Sequence, residues 1–134
     1  MGSTSTKGNL GVAKVLADVV GRGFRVALPL GDDAPFDLIV IRENSKLERV
    51  QCKYTQSNGK FIVVRCASHS AWVNYKYTAD LIDWLAVYDQ TTNRCYYVPA
   101  TLLGAGKQML HLRLVPGANN QRQGVRLASD FVDL

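Results

Sequence analysis

The sequence predicts a mixed α/β (α+β) fold built around one sheet, on three observations. A stretch near the start places polar residues every four positions, the spacing of one helix face. At least four apolar runs of strand length follow, separated by clusters of Gly, Asp, Asn, Ser and Pro. The chain has 134 residues, enough for one domain and too few for two of ordinary size. No repeat, low-complexity tract or interior linker divides it, so residues 1–134 are expected to form a single domain with a frayed, disordered start over residues 1–6.

Each element has a local reason. Thr4, Ser5 and Thr6 are eligible N-caps for a helix from about Gly8 to Val20. Lys14, Asp18 and Arg22 form its polar stripe, and Leu10, Ala13, Val15, Leu16, Ala17, Val19 and Val20 its wide apolar face. Gly21 and Gly23 bracket its end. Phe24–Leu30 is a short β-rich run, closed by the turn cluster Gly31-Asp32-Asp33-Ala34-Pro35. Phe36–Arg42 is nearly all apolar and reads as a buried strand, Glu43–Lys46 as a tight connection, and Leu47–Thr55 as the returning arm. Further strands are expected over Lys60–Cys66, Leu81–Tyr88, Cys95–Val98 and Met109–Val115, and a short terminal helix over Ala128–Val132.

Composition excludes several classes. With 47% hydrophobic and 20% charged residues the chain is globular rather than disordered or fibrous. No apolar run reaches the ~20 residues of a membrane span, and the polar start Met1–Lys7 reads as no signal sequence. Cys52, Cys66 and Cys95 form no C-x-x-C pair, which argues against a disulfide scaffold and for a reducing, cytoplasmic setting. The net charge of +5 is compatible with a polyanionic partner such as nucleic acid.

The chemistry concentrates in the hairpin Phe36–Thr55. With the turn at Glu43–Lys46, an even register sum puts Asp37 opposite Gln51 or Lys53, and an odd one puts it on the other face of the sheet. Gln51 and Lys53 share a face because strand side chains alternate with period two. An acid, an amide oxygen and an ammonium then converge, which outlines a patch for a metal and a phosphate. Mg²⁺ takes hard oxygens and keeps waters and phosphate oxygens as its remaining ligands. Asp37 would supply the anionic ligand, Gln51 its side-chain oxygen and Cys52 its backbone carbonyl. Lys53 would position or deprotonate the attacking water, or neutralise charge growing on phosphate.

Pro35-Phe36-Asp37 followed by Gln51-Cys52-Lys53 resembles the signature of the PD-(D/E)xK nuclease superfamily, preceded by a helix and a strand as in that core. Thr6–Asp18, Leu28–Val40, Arg49–Lys53, Asp83–Asp89, Tyr96–Pro99 and Leu112–Gln121 are similar, in that order, to a small branch that includes group I intron homing endonucleases. The likeness covers nearly the whole chain. It implies a restriction-endonuclease-like core with a central mixed sheet flanked by helices. It also implies Mg²⁺-dependent DNA hydrolysis (Mn²⁺ as a substitute), with Asp37, Gln51 and Lys53 as the active-site set. Glutamine in place of the usual acid is an accepted variant of that branch. The family's Glu on the first helix, after the last glycine of K-G-x-x-G, is here Val12. That leaves Asp37 as the single carboxylate of the site and implies weakened metal affinity.

Simpler readings stand beside these. Asp37 could cap a turn, Gln51 could face solvent, and Lys53 could guard a strand edge. Lys7 and Lys14 are candidate phosphate contacts near the first helix, although Lys14 also suits the exposed ladder with Asp18 and Arg22. Tyr75 and Lys76 are candidates for base stacking and phosphate contact, with Tyr77 beside them. Gln121, Arg122 and Arg126 sit in a polar, basic loop that could read a groove or stay solvated. The expected function is a metal-dependent endonuclease on double-stranded DNA, of homing type. The alternatives are an inactive or weakened DNA-binding module on the same fold and a junction nuclease. Cutting both strands is simplest with two sites related by a two-fold axis, so a symmetric homo-oligomer, dimer or tetramer, is expected.

Overall fold

The computed structural model describes residues 3–69, 74–116 and 126–134. Its first element is helix α1, Thr4–Gly21, which buries Gly11, Val15 and Val19, one residue per turn along a single stripe. The helix begins four residues ahead of the expected Gly8, so Thr4–Thr6, expected in a frayed start, form its first turn. The reason is the cap: the Ser3 hydroxyl accepts from the Thr6 amide at 3.3 Å, satisfying a first-turn N–H before any of the three following hydroxyls is needed.

Five strands form the central sheet in the order β1 (Arg25–Ala27), β2 (Leu38–Ile41), β3 (Leu47–Thr55), β7 (Trp84–Asp89) and β8 (Arg94–Pro99). All neighbours are antiparallel except β3 and β7, which run parallel and make the sheet mixed. The chain between them crosses over through β4 (Phe61–Arg65), β5 (Ala67–His69) and β6 (Asn74–Lys76). Arg49 locks this parallel pair. Its Nε donates to Asp83 Oδ2 at 3.0 Å, and its backbone N–H donates to the same oxygen at 2.7 Å. Its other guanidinium nitrogens donate to the Asp80 and Ala79 carbonyls.

The sheet separates two apolar cores. On one face α1 packs Val15 and Val19 against Leu38, Val40, Val50, Ala86 and Tyr97. Each such fully buried aliphatic side chain contributes roughly 1.5–3 kcal/mol. Among the described residues, the other face, with Leu85, Val87, Tyr96 and Val98, is covered by strands rather than by the second flanking helix the sequence leads one to expect. A ribbon of β4 and β9 (Met109–Arg113) turns Ile62, Val64, Leu110 and Leu112 inward, and β5 pairs with β6 beside it. The chain closes with 3-10 turns at Ala100–Leu103 and at Ala128–Phe131, the latter where a short helix is expected.

Five strands, β1, β2, β4, β7 and β9, are shorter than their apolar runs suggest, β1 and β2 most of all. Phe36 and Asp37 precede β2 rather than belonging to it, and β1 keeps three residues of Phe24–Leu30. No helix of the described residues is long and apolar enough to cross a membrane.

Candidate active site

The site arises where β2 stops and β3 continues. The pairing of Leu38 with Val50 sets the register that, extended one step, puts Asp37 beside Gln51. Odd-numbered residues of β3 spend their backbone groups toward β7, as in Asp83 N–H to the Arg49 carbonyl at 2.8 Å. Val50 instead accepts from the Asp37 N–H at 2.8 Å, on the β2 side. Beyond β2 the next such residue, Cys52, has no strand to pair with. Its N–H is taken by the Asp37 carboxylate, with Oδ2 accepting at 2.9 Å. The Cys52 carbonyl accepts from Gln51 Nε2 at 3.3 Å, a contact that engages the nitrogen of that amide and not its oxygen.

A cleft of about 510 Å³ occupies this vacated edge. Asp37, Gln51, Cys52 and Lys53 line it from the sheet, and Thr4, Ser5, Lys7 and Val12 line it from the first turns of α1. The helix reaches so close because of Gly11. A Cβ there would stand 3.3 Å from Tyr54 Cβ and N and 3.4 Å from the Lys53 carbonyl carbon. The residue after this glycine, Val12, faces the same space as Asp37 and Lys53.

Burial sets the electrostatics. It pushes the Asp37 carboxyl up, against the lowering effect of the Cys52 N–H and the Lys53 charge. It pushes the Lys53 ammonium down, opposed by the negative Asp37 and reinforced, more weakly, by Arg65. The Lys53 Nζ lies 5.2 Å from the centroid of the buried Tyr77 ring, a cation–π arrangement that favours the charged amine. Burial and the Asp37 charge both raise the Cys52 thiol, so it stays protonated and inert while its backbone does the work.

The donor set suits a hard divalent cation. It offers one carboxylate, one amide oxygen and one backbone carbonyl, with room for water and phosphate oxygens, as Mg²⁺ sites commonly do. Among the described residues no group of three or more His, Cys, Asp or Glu assembles. Asp37 is the one carboxylate among the described residues that line the cleft. Asp18 of the same helix lies outside the cleft, held by the Tyr97 hydroxyl and by Arg22.

The other candidates separate. Lys7 lines the cleft. Lys14 lies outside it, its Nζ 5.6 Å from the Tyr88 ring centroid. Tyr75 is half-buried and meets Tyr77 edge-on at 5.6 Å, while Lys76 is exposed. Arg126 lies beside β9, where its carbonyl accepts from the Arg113 N–H at 2.7 Å. Gln121 and Arg122 lie outside the described residues. Thr4, Ser5 and Asn9 also line the cleft and are not among the sequence candidates. The Ser3 cap is the signal that would have placed Thr4 and Ser5 in the first helical turn and Asn9 in the second.

Comparison with known proteins identifies the family and the fold. The profile of the PD-(D/E)XK endonuclease family matches residues 2–134. Among solved structures, the bacterial homing endonuclease I-Ssp6803I shares the fold, with a TM-score of 0.73 and 21% identity over 97% of this chain and 88% of that one. No curated protein sequence matches significantly.

Proposed function

The chain belongs to the PD-(D/E)XK endonuclease family, and from that premise we propose that it hydrolyses phosphodiester bonds of double-stranded DNA with Mg²⁺ or Mn²⁺ held at Asp37. The observation that carries this reading is the convergence of Asp37, Gln51, the Cys52 backbone and Lys53 on one cleft at the end of β2. Gln51 and the Cys52 carbonyl would complete the protein's share of the ligands. When bound, the cation supplies a Lewis acid that offsets phosphate charge and acidifies water.

The chain's own groups do the rest. Asp37 is oriented by the Cys52 N–H, so its carboxylate enters the cleft in one geometry. Lys53, anchored over Tyr77, holds a proton beside the scissile phosphate and neutralises charge there or orients the attacking water. The first turn of α1 opens on the same space with Lys7, and a helix N-terminus favours an anion.

Val12 in the cleft favours a second reading, an enzyme weakened or silenced on an intact DNA-binding fold. A valine supplies neither a charge nor an oxygen where the family places a carboxylate. The homing type is favoured by the ordered family stretches of the sequence, and a symmetric homo-oligomer by the need to cut two antiparallel strands. An intracellular, reducing setting suits the three free cysteines.

Cleavage of supercoiled plasmid in Mg²⁺ and in Mn²⁺ tests the proposal. Metal-dependent nicking that Asp37→Ala and Lys53→Ala both abolish supports it, and unchanged cutting by the two variants contradicts it. Binding without nicking, converted to nicking by Val12→Glu, supports the weakened enzyme. A four-way junction cut in preference to linear duplex would reassign the substrate.

A further inference from the structure

The outward face of the β4–β9 ribbon has no role in the chemistry above, yet it carries exposed apolar and cationic side chains together. Alternation leaves Phe61, Val63 and Arg65 of β4 and Met109, His111 and Arg113 of β9 on the side away from the core. Phe61, Val63 and Met109 are among the exposed large hydrophobics, at 37%, 37% and 47%. The Phe61 and His111 rings stack at 6.5 Å with 17° between planes. Residues 56–79 and 104–129, which include the ribbon, contain seven of the sixteen Lys and Arg and none of the eleven Asp and Glu.

We propose that this ribbon face is the surface that seats duplex DNA, lying along the major groove with Phe61 and His111 toward base edges and Arg65 and Arg113 on flanking phosphates. The inference rests on the nuclease reading and adds to it the element that reads sequence. A two-stranded ribbon is one of the two secondary structures that the major groove admits. Five paired residues give a ribbon roughly 17 Å long. Its ladder continues at both ends, through Leu114 N–H to the Lys60 carbonyl and Cys66 N–H to the Gln108 carbonyl, each at 2.8 Å. The platform is therefore stiff. Beside β9 a hollow of about 330 Å³ is lined by Lys107, His111 and Arg126, which suits a backbone phosphate. The ribbon is also continuous with the cleft: β4 touches β3, and the Arg65 charge is felt at Lys53.

Charge decides the occupant. A second copy packed face to face across a two-fold axis would set arginines against arginines with no carboxylate between them. A polyanion meets the same cations with opposite charge, and exposed apolar groups suit thymine methyls.

The test uses the full chain in EDTA, so that no strand is cut, and measures anisotropy of a 30-bp random-sequence duplex against NaCl. Losing two phosphate contacts lowers the slope of log K against log[NaCl] by about 2. The Arg65→Ala/Arg113→Ala variant is expected to show that drop, with affinity at least tenfold weaker at 0.1 M salt and unchanged Tm. Arg25→Ala/Arg94→Ala, changed on other strands, keeps the wild-type slope. Phe61→Ala/His111→Ala is expected to bind random duplex within threefold of wild type yet enrich a different consensus from a randomised duplex pool. An unchanged slope in the ribbon variant, or an equal drop in the control, overturns the inference while leaving the nuclease reading intact. A change in sedimenting mass with unchanged DNA binding overturns it in favour of an interface between copies. Failure of the wild type to bind any duplex overturns both.

Discussion

The Cys52 N–H donates to Asp37 Oδ2 at 2.9 Å, where a regular hairpin would have placed a strand partner. This one bond joins fold to site. A longer β2 would have occupied the edge of β3, and the cleft would be closed. Starting β2 only at Leu38 exposes the Cys52 backbone, and the side chain of the preceding residue takes over the pairing.

Placing the carboxyl there carries an energetic cost, because burial raises Asp37 above its ordinary value and the Cys52 N–H offsets only part of it. The folded state therefore keeps its proton to higher pH than the unfolded chain does. Stability from this group is full below the unfolded value of 3.8 and declines as pH rises through the raised folded value. Asp37→Asn keeps an acceptor for Cys52 and removes the buried charge. It should raise Tm at pH 7.5 while reducing metal-dependent cleavage by about 10²-fold or more. Thermal melts at pH 4 and pH 7.5 check the sign, since the gain should shrink at the lower pH.

Val12→Glu adds the missing oxygen ligand in the cleft. Two carboxylates at one site repel, so without metal the variant should melt below wild type at neutral pH, and Mn²⁺ should restore it. Cation affinity by titration calorimetry should tighten by roughly tenfold or more, given the weight of one added carboxylate. Melting curves with and without Mn²⁺ would disprove the placement of Val12 if the metal protected the two proteins equally.

Gly11 and Gly8 differ by one turn and should respond in opposite directions. Gly11→Ala must push α1 off the β3 backbone, because its Cβ would sit 3.3 Å from Tyr54 N. Overpacking of this kind costs about 1–3 kcal/mol. Nothing lies within 4 Å of a Cβ at Gly8, so Gly8→Ala should stabilise the helix by about 0.5–1 kcal/mol. Urea denaturation of the two variants measures the contrast.

Asp89 is fully buried at the end of β7 and accepts from Thr55 Oγ1, the Ser57 N–H and hydroxyl, and the Thr92 N–H. Burial pushes its carboxyl up, but the bonds from Ser57 and Thr92 outweigh it and hold the value below the ordinary 3.8. Its contribution is present above 3.8 and lost as pH falls through the lowered value. Asp89→Ala strands those donors and should cost about 3 kcal/mol at pH 7, with a smaller loss at pH 2.5, read from denaturant midpoints.

Much of this arrangement was legible in the residues. The Glu43–Lys46 turn limits the hairpin to a narrow choice of register, and Leu38 opposite Val50 realises the one that sets Asp37 by Gln51. Lys14, Asp18 and Arg22 were readable as a stripe, although only Arg22 and Asp18 pair, while Lys14 turns to Tyr88. The second layer was not readable. Its ribbon joins Phe61–Arg65 to Met109–Arg113, far apart in sequence, and local alternation marks both strands without saying that they meet. Strands as short as Ala67–His69 carry too few residues to show a period. The early start of α1 was hidden by four consecutive hydroxyl residues, Ser3 to Thr6, each able to cap.

The central claim is that Asp37, Gln51 and the Cys52 carbonyl hold a divalent cation beside Lys53. A crystal soaked in Mn²⁺ and measured at the manganese absorption edge tests it directly. An anomalous peak is expected about 2.1–2.2 Å from an Asp37 oxygen, in line with hard-cation distances, together with its loss in Asp37→Ala. A cleft without a peak at saturating Mn²⁺, in crystals of protein that nicks plasmid in the same buffer, would contradict it.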